Sequence, residues 1–339
     1  MKPNKIDRLD GYTWQLPSVP EAEEWHRGIQ ELEGLTKKAA IARAQGYLLL
    51  KEIHEKHVTP ERLGWVNLWA KTINALESAI LAADNKSGYL LQAISRPALE
   101  SFIHVLVIID PARDAADEQP LAENVSLLSK TSKYQSKKVI ERFQAYTAWC
   151  LWCDRDYYRR VLRDNDAIWD PQPAREYVYK NKSGEFDAVD LFTGKPEIEL
   201  NEHKLKQGQA KTEKEYLDKI QRIDEWASDP SLAPWWKKIR SIPKKGDKFY
   251  QLFMTDGHMR EVLQKNELDL AYLSYSRASQ VLHGSSFEQF ILLGDSLSAP
   301  RLPGFEPADN DDLYDEIISN SKTIFFLLRL TNGFAFRKD

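Results

Sequence analysis

Two sets of residues have the types and spacing for chemistry. Gln92, Arg96, Glu100 and His104 recur at every fourth position, so on a helix they stack along one face. The residues around them are nearly all apolar, YLLQAISRPALESFIHVLVII. A guanidinium, a carboxylate and an imidazole on such a helix either line a cavity or close an internal ion network, because charges are almost never buried unpaired. In a sealed network, removing one partner would cost about 3–5 kcal/mol. The second set lies in AYLSYSRASQVLHGSSFEQF, where Tyr272, Ser276, Ser279 and His283 share a face at i, i+4, i+7 and i+11. A hydroxyl-rich face that ends in an imidazole just before Gly284 suggests a polar site at the helix end. The alternative is that the hydroxyls bond back to helix carbonyls and His283 caps the terminus. Arg277 lies six residues before His283, which turns the two about 120° apart on an ideal helix. They meet only if His283 sits in a frayed last turn or a second copy of the helix faces the first.

The elements that must hold these residues are helices. Residues 1–20 read as an irregular lead-in punctuated by Pro3, Gly11, Pro17 and Pro20. A short charged helix is expected over 21–34 and an Ala-, Leu- and Lys-rich one over 36–57. Thr59-Pro60 is a cap followed by a first-turn proline. The helix it opens carries Trp65, Leu68, Trp69, Ile73, Leu76 and Ile80 at the spacing of one buried face. After the turn Asn85-Lys86-Ser87-Gly88 comes the central apolar helix, kinked or restarted at Pro97 and ended by Asp110-Pro111. Further helix is expected over 122–164, 212–227 and 268–283. A last amphipathic helix over 311–331 has Asp311 and Asp312 at its positive end and is followed by Gly333. Turn signals and short alternating runs, with strands expected at 176–179 and 197–200, mark an inserted segment. The reading is an all-α multi-helix bundle: a lead-in over 1–20, a helical core over 21–165 and 248–339, and a partly irregular insertion over 166–247.

Composition limits the partners. The 339 residues include 47 Lys and Arg against 51 Asp and Glu, a formal charge of −4, so bulk charge does not recruit nucleic acid. The opening residues lack an apolar signal core, and the runs 102–109 and 324–330 fall short of a bilayer span of about 20 residues. A cytoplasmic chain without a membrane partner is expected. Cys150 and Cys153 form a lone CxxC beside Trp149 and Trp152. They lack the second ligand pair of a structural zinc site, so reduced, packed thiols are expected. His54 and His57 at a helix end are read as solvated. No glycine-rich phosphate loop, P-loop lysine or Gly-x-Ser-x-Gly is present. Neither a metal nor a cofactor is expected.

Arg96-x3-Glu100 on a buried helix, with Tyr272-x3-Ser276 and His283-Gly284-Ser285 far downstream, resembles a broad group of uncharacterised bacterial all-helical proteins. The spacing of Arg277 and His283 also falls within the Arg-x4–6-His pattern of the HEPN superfamily. The residue after the arginine, usually polar there, is Ala278 here. That resemblance implies a compact helical bundle, a homodimer, and a metal-independent ribonuclease of a toxin or phage-defence system. It implies His283 as general acid or base and Arg277 on the phosphate. Ser276 or Ser279 would orient the imidazole, and Arg96 and Glu100 would give second-line support. RNA would need local positive charge, and Trp235, Trp236, Lys237, Lys238 and Arg240, then Lys244 and Lys245, combine cations with aromatic rings. The same segment also reads as an exposed amphipathic stretch with its tryptophans turned inward. A partner protein or phage component as trigger belongs to this reading. The competing class is a non-enzymatic helical interaction or ligand-sensing protein in which Arg96, Glu100 and His283 hold the bundle together.

Overall fold

Pro60 opens the helix on which its neighbours are built. The computed structural model describes residues 32–54, 60–113, 133–165, 202–242, 249–253 and 307–334, with single positions at 29 and 264. The described residues form α1 Gly34–His54, α2 Pro60–Asp84, α3 Gly88–Arg113, α4 Lys133–Arg163, α5 Glu202–Ala227, α6 Ala233–Ser241 and α7 Pro307–Phe334. A 3-10 turn spans Phe249–Leu252, and there is no strand among the described residues. The class is all-α. The chain divides into two compact units, residues 1–147 with 242–339, and residues 148–241.

In the first unit α2 packs on α1, α3 and α7, and α7 packs on α1 and α3. Trp65, Leu68, Trp69, Ile73 and Leu76 are buried along α2 as their spacing predicts, while Ile80 is only half-buried. A buried indole needs a partner for its N–H. Trp65 donates to the Leu328 carbonyl of α7 at 2.9 Å, and Trp69 donates to the Gly46 carbonyl of α1 at 2.7 Å. One face of α2 is thereby fixed against two helices. Glycine permits the closest approaches. A Cβ at Gly46 would lie 2.8 Å from the Phe325 ring, and one at Gly64 would lie 2.6 Å from Thr147 Oγ1 and 2.9 Å from the Phe143 carbonyl.

α2 ends in a Schellman turn: Ser87 N–H donates to Ala82 O at 2.8 Å and Lys86 N–H to Ala83 O at 2.9 Å. Lys86 holds the left-handed position, φ 53°, that glycine usually fills.

α3 departs from the sequence reading in length. It runs unbroken through Pro97 and past Pro111 to Arg113. Proline has no N–H, so Pro111 leaves the Val107 carbonyl without its helical donor. Arg142 of α4 supplies one through Nη1 and also lies 3.8 Å from the Asp110 carboxylate. The stretch Leu90–Asp110 is long and apolar enough to cross a membrane by composition, which the shorter run at 102–109 had not indicated, and 67% of it is buried inside the protein. It is a core helix packed on α2 and α7.

The second unit contains the end of α4 with α5 and α6. Arg155 forks onto Asp224 at 2.6 and 2.9 Å, and the Tyr158 ring meets the Tyr216 ring at a tilt, with centroids 5.3 Å apart. Leu151, Ile223, Ala227, Leu232 and Ile239 are buried. Between α5 and α6, Asp229 Oδ1 accepts the backbone N–H of Ser231 at 2.8 Å and its hydroxyl at 2.5 Å. α5 starts at Glu202, ten residues before the position read from sequence, and α7 starts at Pro307. The expected helix at 268–283 and the strands at 176–179 and 197–200 lie outside the described residues, as do most of the expected helix at 21–34 and the His57 end of the HxxH pair; residues 32–33 are not helical, and Gly34 already belongs to α1.

Candidate functional site

α3 divides its polar stripe between surface and core. Arg96 Nε donates to Glu100 Oε1 at 3.2 Å, with side chains 23% and 37% exposed. This pair reaches solvent, so the energy expected of a sealed ion network does not apply to it. His104, one turn further on, is buried. Its ring lies 5.3 Å from Tyr146 of α4 and 5.5 Å from Phe249 of the 3-10 turn. Tyr146 and Phe249 meet edge to face at 5.0 Å. Burial penalises the imidazolium and the Lys71 ammonium repels it, so the pKa of His104 falls to about 3. The ring stays neutral at ordinary pH and offers no acid for catalysis.

Cations close this aromatic cluster on two sides. Lys71 Nζ donates to the Tyr146 hydroxyl at 3.3 Å. The Arg142 guanidinium lies 4.7 Å over the Phe253 ring, while Phe253 meets Phe249 edge to face at 5.4 Å. Sequence reading missed Lys71, Asp110, Arg142, Tyr146 and Phe249. The one available signal was Pro111, four residues past Val107, which requires a donor from another element.

In the second unit α6 turns Ile239 inward and leaves Lys237, Lys238 and Arg240 exposed. Trp236 meets Trp152 of α4 edge to face at 5.3 Å, and Lys238 Nζ lies 5.4 Å over the Trp235 ring. Both tryptophans are half-buried. Lys244 and Lys245 lie outside the described residues, as do Tyr272, Ser276, Arg277, Ser279 and His283. The structure therefore brings Arg96 to Glu100 and Trp236 to Trp152, and separates His104 from solvent.

Among the described residues, no three His, Cys, Asp or Glu side chains gather as a metal site requires. Cys150 and Cys153 are half-buried and not joined in a disulfide. No protein-family profile, curated protein or solved structure matches the chain.

Proposed function

We propose that the chain is a metal-independent endoribonuclease of the HEPN type, working as a homodimer in a bacterial defence or toxin system. The observation that carries the reading is the Arg277-x5-His283 spacing in a chain whose described residues form an all-helical bundle. RNA brings its own nucleophile. His283 takes the proton from a 2′-hydroxyl, the oxygen attacks the adjacent phosphorus, and the 5′-oxygen leaves with a proton from an imidazolium. The products are a 2′,3′-cyclic phosphate and a 5′-hydroxyl. Arg277 offsets charge on the phosphoryl oxygens. A second copy supplies the second imidazole, which answers the angular separation of Arg277 and His283 on one helix. Arg96 and Glu100 support this reading by remaining solvent-reaching on the core helix.

The test is RNA cleavage in excess chelator by wild type, His283→Ala and Arg277→Ala. Cleavage to cyclic-phosphate ends, lost in both variants, is the expected result. Equal cleavage by wild type and His283→Ala overturns the mechanism. Growth arrest on overexpression, relieved by either variant, would tie the activity to a toxin role.

A second reading is favoured by one observation. His104, a member of the same stripe, is sealed and neutral among aromatic rings. That is a structural use of the stripe, as in a non-enzymatic helical interaction or ligand-sensing protein. Absence of cleavage together with an intact fold would select it.

A further inference from the structure

We infer that α6, with the face of α4 against which it packs, is a docking surface for single-stranded nucleic acid. The inference deepens the ribonuclease reading by naming how substrate is held, and it rests on that reading for the strand being RNA. Residues 230–246 contain Lys237, Lys238, Arg240, Lys244 and Lys245 and no acidic residue, in a chain of net charge −4. The cationic character is therefore local.

Structure adds the geometry. Ile239 is the buried centre of the inward face of α6. At about 100° per residue, Trp235 and Trp236 fall on either shoulder of that face, and Lys237 falls opposite it. On the same helical projection Lys238 falls beside Trp235 and Arg240 beside Trp236. The first of these couples is a cation–π contact at 5.4 Å. Trp236 is braced by the edge-to-face contact with Trp152 at 5.3 Å, so its ring is held in place before any ligand arrives. Arg159 is exposed and lies two turns beyond Trp152 on the same face of α4, about 10 Å along its axis. Among the described residues, no carboxylate pairs with Lys237 or Arg240.

This arrangement selects among polyanions. A single strand offers a phosphate track for the cations and unpaired bases for the indole rings. A duplex keeps its bases stacked inside. A membrane-surface helix would turn its apolar face outward, whereas Ile239 and Leu232 are buried. The described surface has nothing that reads a particular base.

The test uses the full chain carrying His283→Ala, which blocks turnover under the proposed mechanism, and a fluorescent oligouridylate of about 12 nucleotides. Binding is followed by anisotropy from about 50 to about 200 mM salt. The triple variant Lys237→Gln, Lys238→Gln, Arg240→Gln should bind at least about tenfold more weakly, with the salt slope reduced by about 2 for three lost cations. The charge-keeping variant Lys237→Arg, Lys238→Arg, Arg240→Lys should bind as its parent does. Unchanged oligouridylate binding by the Gln variant overturns the inference. Equally strong competition by duplex RNA, or by phosphatidylserine vesicles, also overturns it. The two readings fail separately. Strand binding that depends on α6, without any cleavage by wild type, removes the nuclease and keeps the surface. Cleavage with an unchanged KM in the Gln variant removes the surface and keeps the nuclease.

Discussion

Arg142 donates to the backbone carbonyl of Val107, the carbonyl that Pro111 leaves without a helical partner. A side chain of α4 thus completes the hydrogen-bond ladder of α3, and its charge sits beside Asp110 at 3.8 Å. Replacing Arg142 by Met would strand a carbonyl and leave a half-buried carboxylate without its cation, a loss of about 2–4 kcal/mol. Pro111→Ala would restore the N–H within α3. In that background Arg142→Met should cost at least about 1 kcal/mol less, as measured by denaturant unfolding of the four proteins in the cycle. Additive losses would show that Arg142 acts through contacts other than the Val107 carbonyl, Asp110 and Phe253 among them.

Lys86 sets a smaller and opposite prediction. Its φ of 53° places an L side chain where glycine is unstrained. Lys86→Gly should raise stability by up to about 1 kcal/mol, the relief of strain being partly offset by the greater freedom of glycine in the unfolded chain. A rise in unfolding midpoint checks this. A fall would mean that the Lys86 side chain contributes more than its backbone costs.

His104 makes stability fall on acidification. Its folded pKa, about 3, lies below the unfolded value near 6.5. Between those values the unfolded chain binds a proton that the folded chain refuses. Stability then declines by up to about 1.4 kcal/mol per pH unit below pH about 6.5 and is independent of this group above it. His104→Phe keeps a ring against Tyr146 and Phe249 and removes the titration. Wild type and variant should differ by a constant amount above pH about 7, with the variant gaining steadily as pH falls towards 5. Parallel curves over the whole range would show that the imidazole is not sealed.

These cases also mark what could be read from sequence. The buried face of α2 and its start at Pro60 were legible because periodicity and the first-turn preference of proline are local properties. The end of α3 was misjudged at Pro111 because the decisive donor, Arg142, is 35 residues away. Spacing aligned Gln92, Arg96, Glu100 and His104 on one face, but it did not distinguish the solvent-reaching pair from the sealed ring. That distinction comes from α4 and the 3-10 turn, which cover His104 with Tyr146 and Phe249. Trp236 on Trp152 was likewise hidden, since an aromatic contact 84 positions apart leaves no local pattern.

Arg96 and Glu100 offer the sharpest separation of structural from chemical roles. Their pair is partly exposed, 3.2 Å long, and runs Arg to Glu along the helix, the weaker order for an i,i+4 couple. Arg96→Gln and Glu100→Gln should each change stability by less than about 1 kcal/mol. If the couple supports His283, RNA cleavage should fall at least about tenfold in each variant while the unfolding midpoint stays nearly fixed. Arg96→Lys should restore little, because a single ammonium does not reproduce the guanidinium fork. Full cleavage by both Gln variants would confine chemistry to Arg277 and His283. A loss of several kcal/mol would instead return the couple to the structural role that His104 already plays one turn along the same helix.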